Sequence, residues 1–364
     1  MWQSLFLPES RLSLSHTLKC GQSFRWTTVA ASPPEYHFCL PDRVVCLKQN
    51  PTTLFYRTVL PDPQPSSLQL SLRQAETLVW LNSYFQLDVD LDNLYAEWAT
   101  RDKAFSSIQA RFTGIRMLRQ DPWENLISFI CSSNNNIGRI SIMVQSLCRH
   151  YSAPLLSLAD PSDSSLQMQY YPFPPASALT APDVGATLRG LGFGYRAEFI
   201  QRTVRMLVET HGTGDAPEKF LVSLRSASTE NAREELLKLK EVVPVDTHVH
   251  QIAIKYYGLK GSLAAKANMT PKLYEEITTR LGAVWGDYAG WAHSVLFTSN
   301  LKAFSSNEVT PTKFKNALPT PPPTPSPLKR KSRPSELPCA DDLQSSTLVE
   351  RVKRRRRLDE DDLT

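Results

Sequence analysis

No uninterrupted apolar run in this 364-residue chain reaches membrane-spanning length, which argues against a transmembrane helix. The N-terminus shows no charged, apolar, small-residue leader, so a soluble, non-secreted protein is expected. The six cysteines (Cys20, Cys39, Cys46, Cys131, Cys148 and Cys339) are scattered, and none forms a CxxC pair. That argues against a zinc site, an iron–sulfur cluster or a disulfide framework, and the cysteines read as reduced thiols of a nuclear or cytosolic protein. No internal repeat is visible. Charge of one sign is scarce as well. The net charge is +5, and from Thr310 onward 12 Lys and Arg face 8 Asp and Glu, leaving 29 basic and 28 acidic residues before it. A body so nearly neutral can bind nucleic acid only through a local patch.

The length suits two domains and a tail. Residues 1–105 alternate short apolar runs with turn residues. Asp42 to Leu47 and Leu54 to Val59 read as neighbouring strands around the turn Gln49-Asn50-Pro51, and Asp62 to Ser67 reads as a loop. A small antiparallel sheet with one or two helices is expected there. Residues 106–305 are helical in pattern. Asp121-Pro122-Trp123-Glu124 has an acidic N-cap, proline at the first helical position and glutamate at the third. Helices are also expected over Ile140 to Cys148, over Tyr195 to about Glu209, from Thr229, from Thr270-Pro271, and over Trp285 to Leu301. The fold class is therefore α+β: an N-terminal antiparallel sheet domain, then an all-α domain. Residues 306–364 are proline-rich, polar and charged, which predicts a disordered tail. Its clusters Lys329-Arg330-Lys331 and Lys353 to Arg357 predict nuclear import, with an import receptor as partner.

Four constellations carry the chemistry. Asp246 closes the run Val242-Val243-Pro244-Val245-Asp246, where a proline-stiffened apolar stretch would fix one carboxylate with little water around it. Helix capping accounts for the same residue, and both roles are compatible. Asn134-Asn135-Asn136 stands between two helices with Arg139 just behind. It reads either as a capping loop or as a set of amides that replace the hydrogen bonds of a base that has left its partner. Gly190 to Ala197 opens a helix with glycines, Tyr195 and Arg196: a plain turn, or a stacking plane with a cation beside a nucleic acid. Gly21 to Trp26 mixes a backbone-exposing glycine with aromatics, and a strand of the small sheet would explain it equally well. His248 and His250 lack a third ligand, so no metal is expected.

Taken together, these runs resemble the eukaryotic 8-oxoguanine DNA glycosylase/AP lyases, a branch of the helix–hairpin–helix glycosylase superfamily. The resemblance covers roughly residues 1–305. It rests on six ordered runs: Gly21 to Trp26, Arg119 to Pro122, Cys131 to Ile137 with Arg139, Leu191 to Ala197, Val243 to Asp246, and Tyr288 to Ala292 with Val295 to Phe297. It implies base excision from damaged double-stranded DNA. An oxidised guanine opposite cytosine is extruded, a lysine attacks the sugar C1′ and forms a Schiff base, and the strand is cut by β-elimination. By the same resemblance Gly21 offers its carbonyl to the N7–H of the oxidised base and Phe297 stacks on that base. Asn134, Arg139 and Arg196 hold the widowed cytosine, and Tyr195 wedges the stack. Asp246 stabilises the cationic sugar and His248 contacts a phosphate. No metal or organic cofactor is implied. A monomer in the nucleus is expected, with a mitochondrial pool left open.

The chain departs from the family pattern in one segment. There the corresponding helix runs into a Pro-Gly-Val-Gly hairpin and a second helix bearing the nucleophilic lysine. Here Lys238-Leu239-Lys240-Glu241 leads straight into Val242 and the Asp246 run. The hairpin is largely deleted, and Lys238 and Lys240 are the only nearby amines. As helix-end lysines they serve equally well as partners of the helix dipole. His293 stands where the family usually has a glutamine against the base's Watson–Crick edge; histidine can still donate or accept there.

Overall fold

The computed structural model describes residues 1–63, 66–238, 275, 279 and 281–305. Asp246, His248, His250, Lys240, the helix expected from Thr270 and the whole tail lie outside the described residues.

Five strands form one antiparallel sheet: β1 (Gln3–Phe6), β2 (Thr27–Val29), β3 (Glu35–Cys39), β4 (Val44–Gln49) and β5 (Thr53–Val59), in the order β1-β5-β4-β3-β2. A four-residue helix, α1 (Leu14–Thr17), sits between the first two. The expected hairpin around Asn50 is present. Asn50 Oδ1 accepts from the amides of Thr52 (3.0 Å) and Thr53 (2.8 Å), an Asx turn that sets the register Gln49 opposite Leu54. One face of the sheet packs Phe38, Leu47 and Leu54 against Leu81, Tyr84 and Phe85. Tyr84 lies on α2 (Ser67–Tyr84), which begins at Ser67, inside the expected loop, because Ser66 and Gln69 close a capping box. Burying side chains of this size stabilises by about 1.5–3 kcal/mol each.

Two further helices, α3 (Leu91–Arg101) and α4 (Lys103–Ile108), lead into the helical half. That half holds α5 (Pro122–Ser132), α6 (Ile137–Tyr151), α7 (Val184–Gly190), α8 (Arg196–His211), α9 (Ala216–Ser223) and α10 (Thr229–Lys238). Its core is built from Ile127, Ile130, Val144, Leu147, Phe193 and Ile200, among others. Lys238 is the last residue of α10. The helical half also contains a two-stranded hairpin that the sequence reading did not foresee: β6 (Leu156–Asp160) and β7 (Asp163–Tyr170). Its alternating apolar residues Leu156, Leu158 and Met168 pack with Cys39, Val44, Cys46 and Tyr170 on the second face of the sheet. Cover on both faces explains why all five residues of β3 are buried, polar Glu35 and His37 included.

The last segment is not one helix from Trp285 to Leu301. Residues 281–285 are helical, Gly286 takes φ +68°, a 3-10 turn covers Gly286–Tyr288, and a helix runs Ala289–Asn300 ahead of a single helical turn at Lys302–Ser305. The left-handed conformation, inexpensive for glycine, breaks the helix. Val295 and Leu296 then pack with Trp98, Phe105 and Ile115, and Trp285 Nε1 donates to Asp102 Oδ2 at 3.1 Å. This packing fixes the helix that carries His293 and Phe297.

Candidate functional site

Three segments converge on Gly21. It lies in a loop, since β2 begins only at Thr27, so the strand reading of this run does not hold. Gly21 has φ +84°, and a β-carbon placed on it would lie 3.0 Å from Ile137 Cδ1 and 3.7 Å from Phe297 Cε1. The left-handed backbone therefore favours glycine, and a side chain there would have to displace the end of Ile137 by a few tenths of an ångström. Ile137 is the first residue of α6 and Phe297 belongs to the helix Ala289–Asn300. His293, one turn before Phe297, lies on the same helix face, with ring centroids 6.4 Å apart and planes 20° apart. Gly21 thus lies against Phe297, and His293 lies beside Phe297 on the same helix.

The loop carrying Gly21 is laced to the start of α5. Arg25 Nε and Nη2 donate to the two carboxylate oxygens of Glu124 at 2.9 and 2.7 Å, and Nη1 donates to the Cys39 carbonyl at 2.8 Å. Both side chains are 6 % exposed. Burial works against the Arg25 charge, but the Glu124 carboxylate outweighs it and the net displacement is upward. Asp121 caps α5 as expected, accepting from the Glu124 amide at 2.9 Å. The Glu124 side chain, however, turns to Arg25 instead of closing a capping box. Sequence reasoning missed this pair, although its two residues lie in or beside two of the runs already singled out.

The asparagine loop divides its labour. Asn135 Nδ2 donates to the Cys131 carbonyl at 3.0 Å, satisfying the end of α5. Asn136 Oδ1 accepts from the Arg139 amide at 2.9 Å and caps α6, which therefore begins at Ile137, three residues before the expected start. Asn134 takes φ +46° and is exposed. Two of the three amides are thus occupied with the backbone, which leaves Asn134 to face outward. Below the loop, Cys131 is buried and its thiol is pushed up to about 12 by desolvation, so it is an inert core group.

Tyr195 and Arg196 dock beneath this loop. Tyr195 Oη donates to the Ser133 carbonyl at 3.1 Å, and the ring is 50 % exposed. Arg196 is buried. Its Nε donates to the Ser133 carbonyl at 3.1 Å and its Nη2 to the Asn134 carbonyl at 3.2 Å, with the guanidinium 4.6 Å from the Tyr195 ring centre. Arg139 is exposed and reaches the Gly192 carbonyl at 3.4 Å. Asn134, Arg139, Tyr195 and Arg196 therefore form one cluster, joined to the Gly21 group through Ile137. Among the described residues, no His, Cys, Asp and Glu group is arranged to hold a metal, and no helix is long and apolar enough to cross a membrane.

The profile of the 8-oxoguanine DNA glycosylase N-terminal domain matches residues 4–126, and that of the HhH-GPD superfamily of base excision DNA repair proteins matches residues 127–279. The N-glycosylase/DNA lyase of Saccharomyces cerevisiae is 34 % identical over 355 residues, covering 85 % of this chain and 88 % of that protein. The N-glycosylase/DNA lyase OGG1 of Arabidopsis thaliana is 34 % identical over 322 residues, covering 83 % and 81 %. The chain belongs to the eukaryotic 8-oxoguanine DNA glycosylases of the HhH-GPD superfamily. Solved structures bear out the fold. MBOgg1 in complex with a low affinity DNA ligand aligns with TM-score 0.63 at 23 % identity, over 82 % of this chain and 94 % of that one. The Clostridium acetobutylicum 8-oxoguanine glycosylase/lyase, bound to double-stranded DNA with cytosine opposite the lesion, aligns with TM-score 0.59 at 22 % identity, over 79 % and 91 %.

Proposed function

We propose that the protein is a base-excision-repair N-glycosylase/AP lyase that removes 8-oxoguanine paired with cytosine in duplex DNA. The observation that carries this reading is the Gly21 junction, where a glycine held at φ +84° stands against Phe297 and Ile137. A base turned out of the helix stacks on the Phe297 ring, and the Gly21 carbonyl accepts from the N7–H that the oxidised base alone possesses. His293 meets the base's Watson–Crick edge. On the other side Asn134 and Arg139 take the orphaned cytosine and Tyr195 enters the stack; Arg196, expected beside them at the cytosine, is instead buried with its guanidinium bonded to the Ser133 and Asn134 carbonyls, and so holds the loop from below. Asp246 stabilises the positive charge that grows on the sugar, and His248 meets a phosphate. A lysine amine adds to C1′ as the base departs, and the resulting Schiff base supports β-elimination. The protein acts as a nuclear monomer, and its tail clusters engage an import receptor.

A second reading, a lesion-binding protein with impaired chemistry, is favoured by one observation: from the last residue of α10 to Asp246 the sequence offers only Lys238 and Lys240 as amines. Borohydride trapping of the full chain on a duplex with 8-oxoguanine opposite cytosine separates the two. A covalent adduct, lost in the Lys238→Ala/Lys240→Ala double variant, establishes the lyase and its nucleophile. Tight lesion binding with neither adduct nor base release establishes the second reading. No preference for the lesion overturns both.

A further inference from the structure

Lesion and undamaged base differ at C8, which gains a carbonyl oxygen, and at N7, where the hydrogen-bonding polarity is reversed. N7 of 8-oxoguanine carries a proton, whereas N7 of guanine offers a lone pair. A carbonyl held toward that position favours the lesion. A peptide free to rotate would turn its N–H there instead and accept guanine. Discrimination thus depends on what prevents the Gly21–Gln22 peptide from turning, and glycine itself offers no resistance.

Gln22 supplies the restraint. Its Nε2 donates to the Arg116 carbonyl at 2.9 Å, while its Oε1 accepts from the Leu118 amide at 2.9 Å. The side chain thus pairs with residues 116–118 as a neighbouring strand would. Its own carbonyl accepts from Gln120 Nε2 at 2.7 Å. The segment it grips is itself anchored. The buried Arg116 guanidinium donates to the carbonyls of Arg11 (2.6 Å), Gln86 (2.6 Å) and Val89 (3.1 Å). The Met117 carbonyl accepts from Gln86 Nε2 at 2.9 Å, and the Arg119 amide donates to the Tyr84 carbonyl at 2.8 Å. The same segment also meets the helix bearing Phe297, where Ser294 Oγ donates to Met117 Sδ at 2.9 Å.

We propose that residues 116–120 form a fixed rail that registers the two sides of the base site against each other, and that Gln22 is the positioning residue clamping the Gly21 carbonyl to it. This inference rests on the proposed reading of lesion, and it goes beyond that reading in assigning discrimination to a side chain that touches no base. It also explains why Gly21-Gln22 and Arg119-Gln120 both stand out in the sequence: each supplies half of one clamp.

The test compares binding of the full chain to duplexes that differ only in 8-oxoguanine or guanine opposite cytosine. Gln22→Ala is expected to lower the ratio of the two affinities by about tenfold, the scale of one hydrogen bond exchanged for a repulsive contact. Undamaged-duplex affinity holds or rises. Gln22→Met restores the side-chain volume without either hydrogen bond and is expected to leave the ratio low, whereas a bare packing defect would be repaired by it. If Gln22→Ala fails to fold by circular dichroism, Gln120→Ala reports on the other half of the clamp and is expected to lower the ratio in the same sense. An unchanged ratio, or an equal fall in both affinities, overturns the inference. A wild-type chain without lesion preference overturns the functional reading instead, so the two failures are distinguishable.

Discussion

The Gly21 side and the Asn134 side of the site are built in opposite ways. Around Gly21 nearly every polar atom is committed inward: Gln22 to residues 116–118, Arg25 to Glu124, Ser294 to Met117. Around Asn134 the functional side chains are exposed, and the bonds that hold the loop come from beneath, from Asn135, Asn136 and Arg196. The contrast fits two different tasks. Reading one proton on one base needs a fixed carbonyl, whereas meeting a distorted opposite strand needs side chains that can adjust to it. Substitutions on the first side should therefore cost stability and discrimination together, and those on the second should cost binding alone.

The largest effect is expected from Arg25→Ala. It strands Glu124 as an uncompensated buried carboxylate, which costs about 3–5 kcal/mol in comparable settings. Urea denaturation should show the midpoint fall accordingly. A loss below about 1 kcal/mol would mean that water reaches the pair, and would break the contrast at its strongest point. Gly21→Ala should cost less, about 1–3 kcal/mol, because it adds left-handed strain to a 3.0 Å approach to Ile137 Cδ1. Its lesion preference should nevertheless collapse, which equilibrium binding to damaged and undamaged duplexes will reveal. Retained preference would remove Gly21 from the reading.

A smaller effect follows from acidification. His37 lies under the β6–β7 hairpin with Nδ1 2.5 Å from Tyr170 Oη and Nε2 3.2 Å from Glu35 Oε2. Burial lowers its pKa below the ordinary 6.5, and this outweighs the opposing pull of Glu35 and Asp160, while Arg57 adds to the lowering. Lys48 faces the same cluster through Glu35, at 3.6 Å. The folded state therefore binds fewer protons than the unfolded chain between the lowered value and 6.5. This contribution to stability is whole above that window and is lost as pH falls through it. Denaturation at pH 7.5 and 5.5 should show a drop in wild type that shrinks in His37→Phe. An equal drop in both would assign the acid sensitivity elsewhere.

Much of this architecture was legible in the sequence, for identifiable reasons. Local chemistry revealed the Asn50 turn, the Asp121 cap and the helix from Thr229, because each is decided within a few residues. The Gly21, Phe297 and His293 grouping came from family resemblance, since no local rule brings residues so distant in sequence together. The β6–β7 hairpin was missed because its stability comes from the sheet face it covers. The partnership of Arg25 with Glu124 was missed for a similar reason: an acidic residue at the third helical position satisfies a local rule, while the true partner lies 99 residues away. The rail at 116–120 is bonded mostly through backbone, which a side-chain pattern does not record.

The smallest change in stability, and the sharpest test of the exposed side, is Arg139→Ala. Its guanidinium is exposed and its one described side-chain bond, to the Gly192 carbonyl, spans 3.4 Å, so the variant should unfold within about 0.5 kcal/mol of wild type. Its binding defect should show what it meets on the DNA. If Arg139 takes the edge of the widowed cytosine, the variant loses its preference for cytosine over other opposite bases by about 1–3 kcal/mol, while the salt dependence of binding stays the same. If it meets a phosphate instead, affinity falls equally for every opposite base and the salt slope drops by about one ion. Titration at several salt concentrations against the four opposite bases separates the two. A stability loss comparable to that of Gly21→Ala would show that Arg139 is structural after all, and the contrast between the two sides of the site would fail.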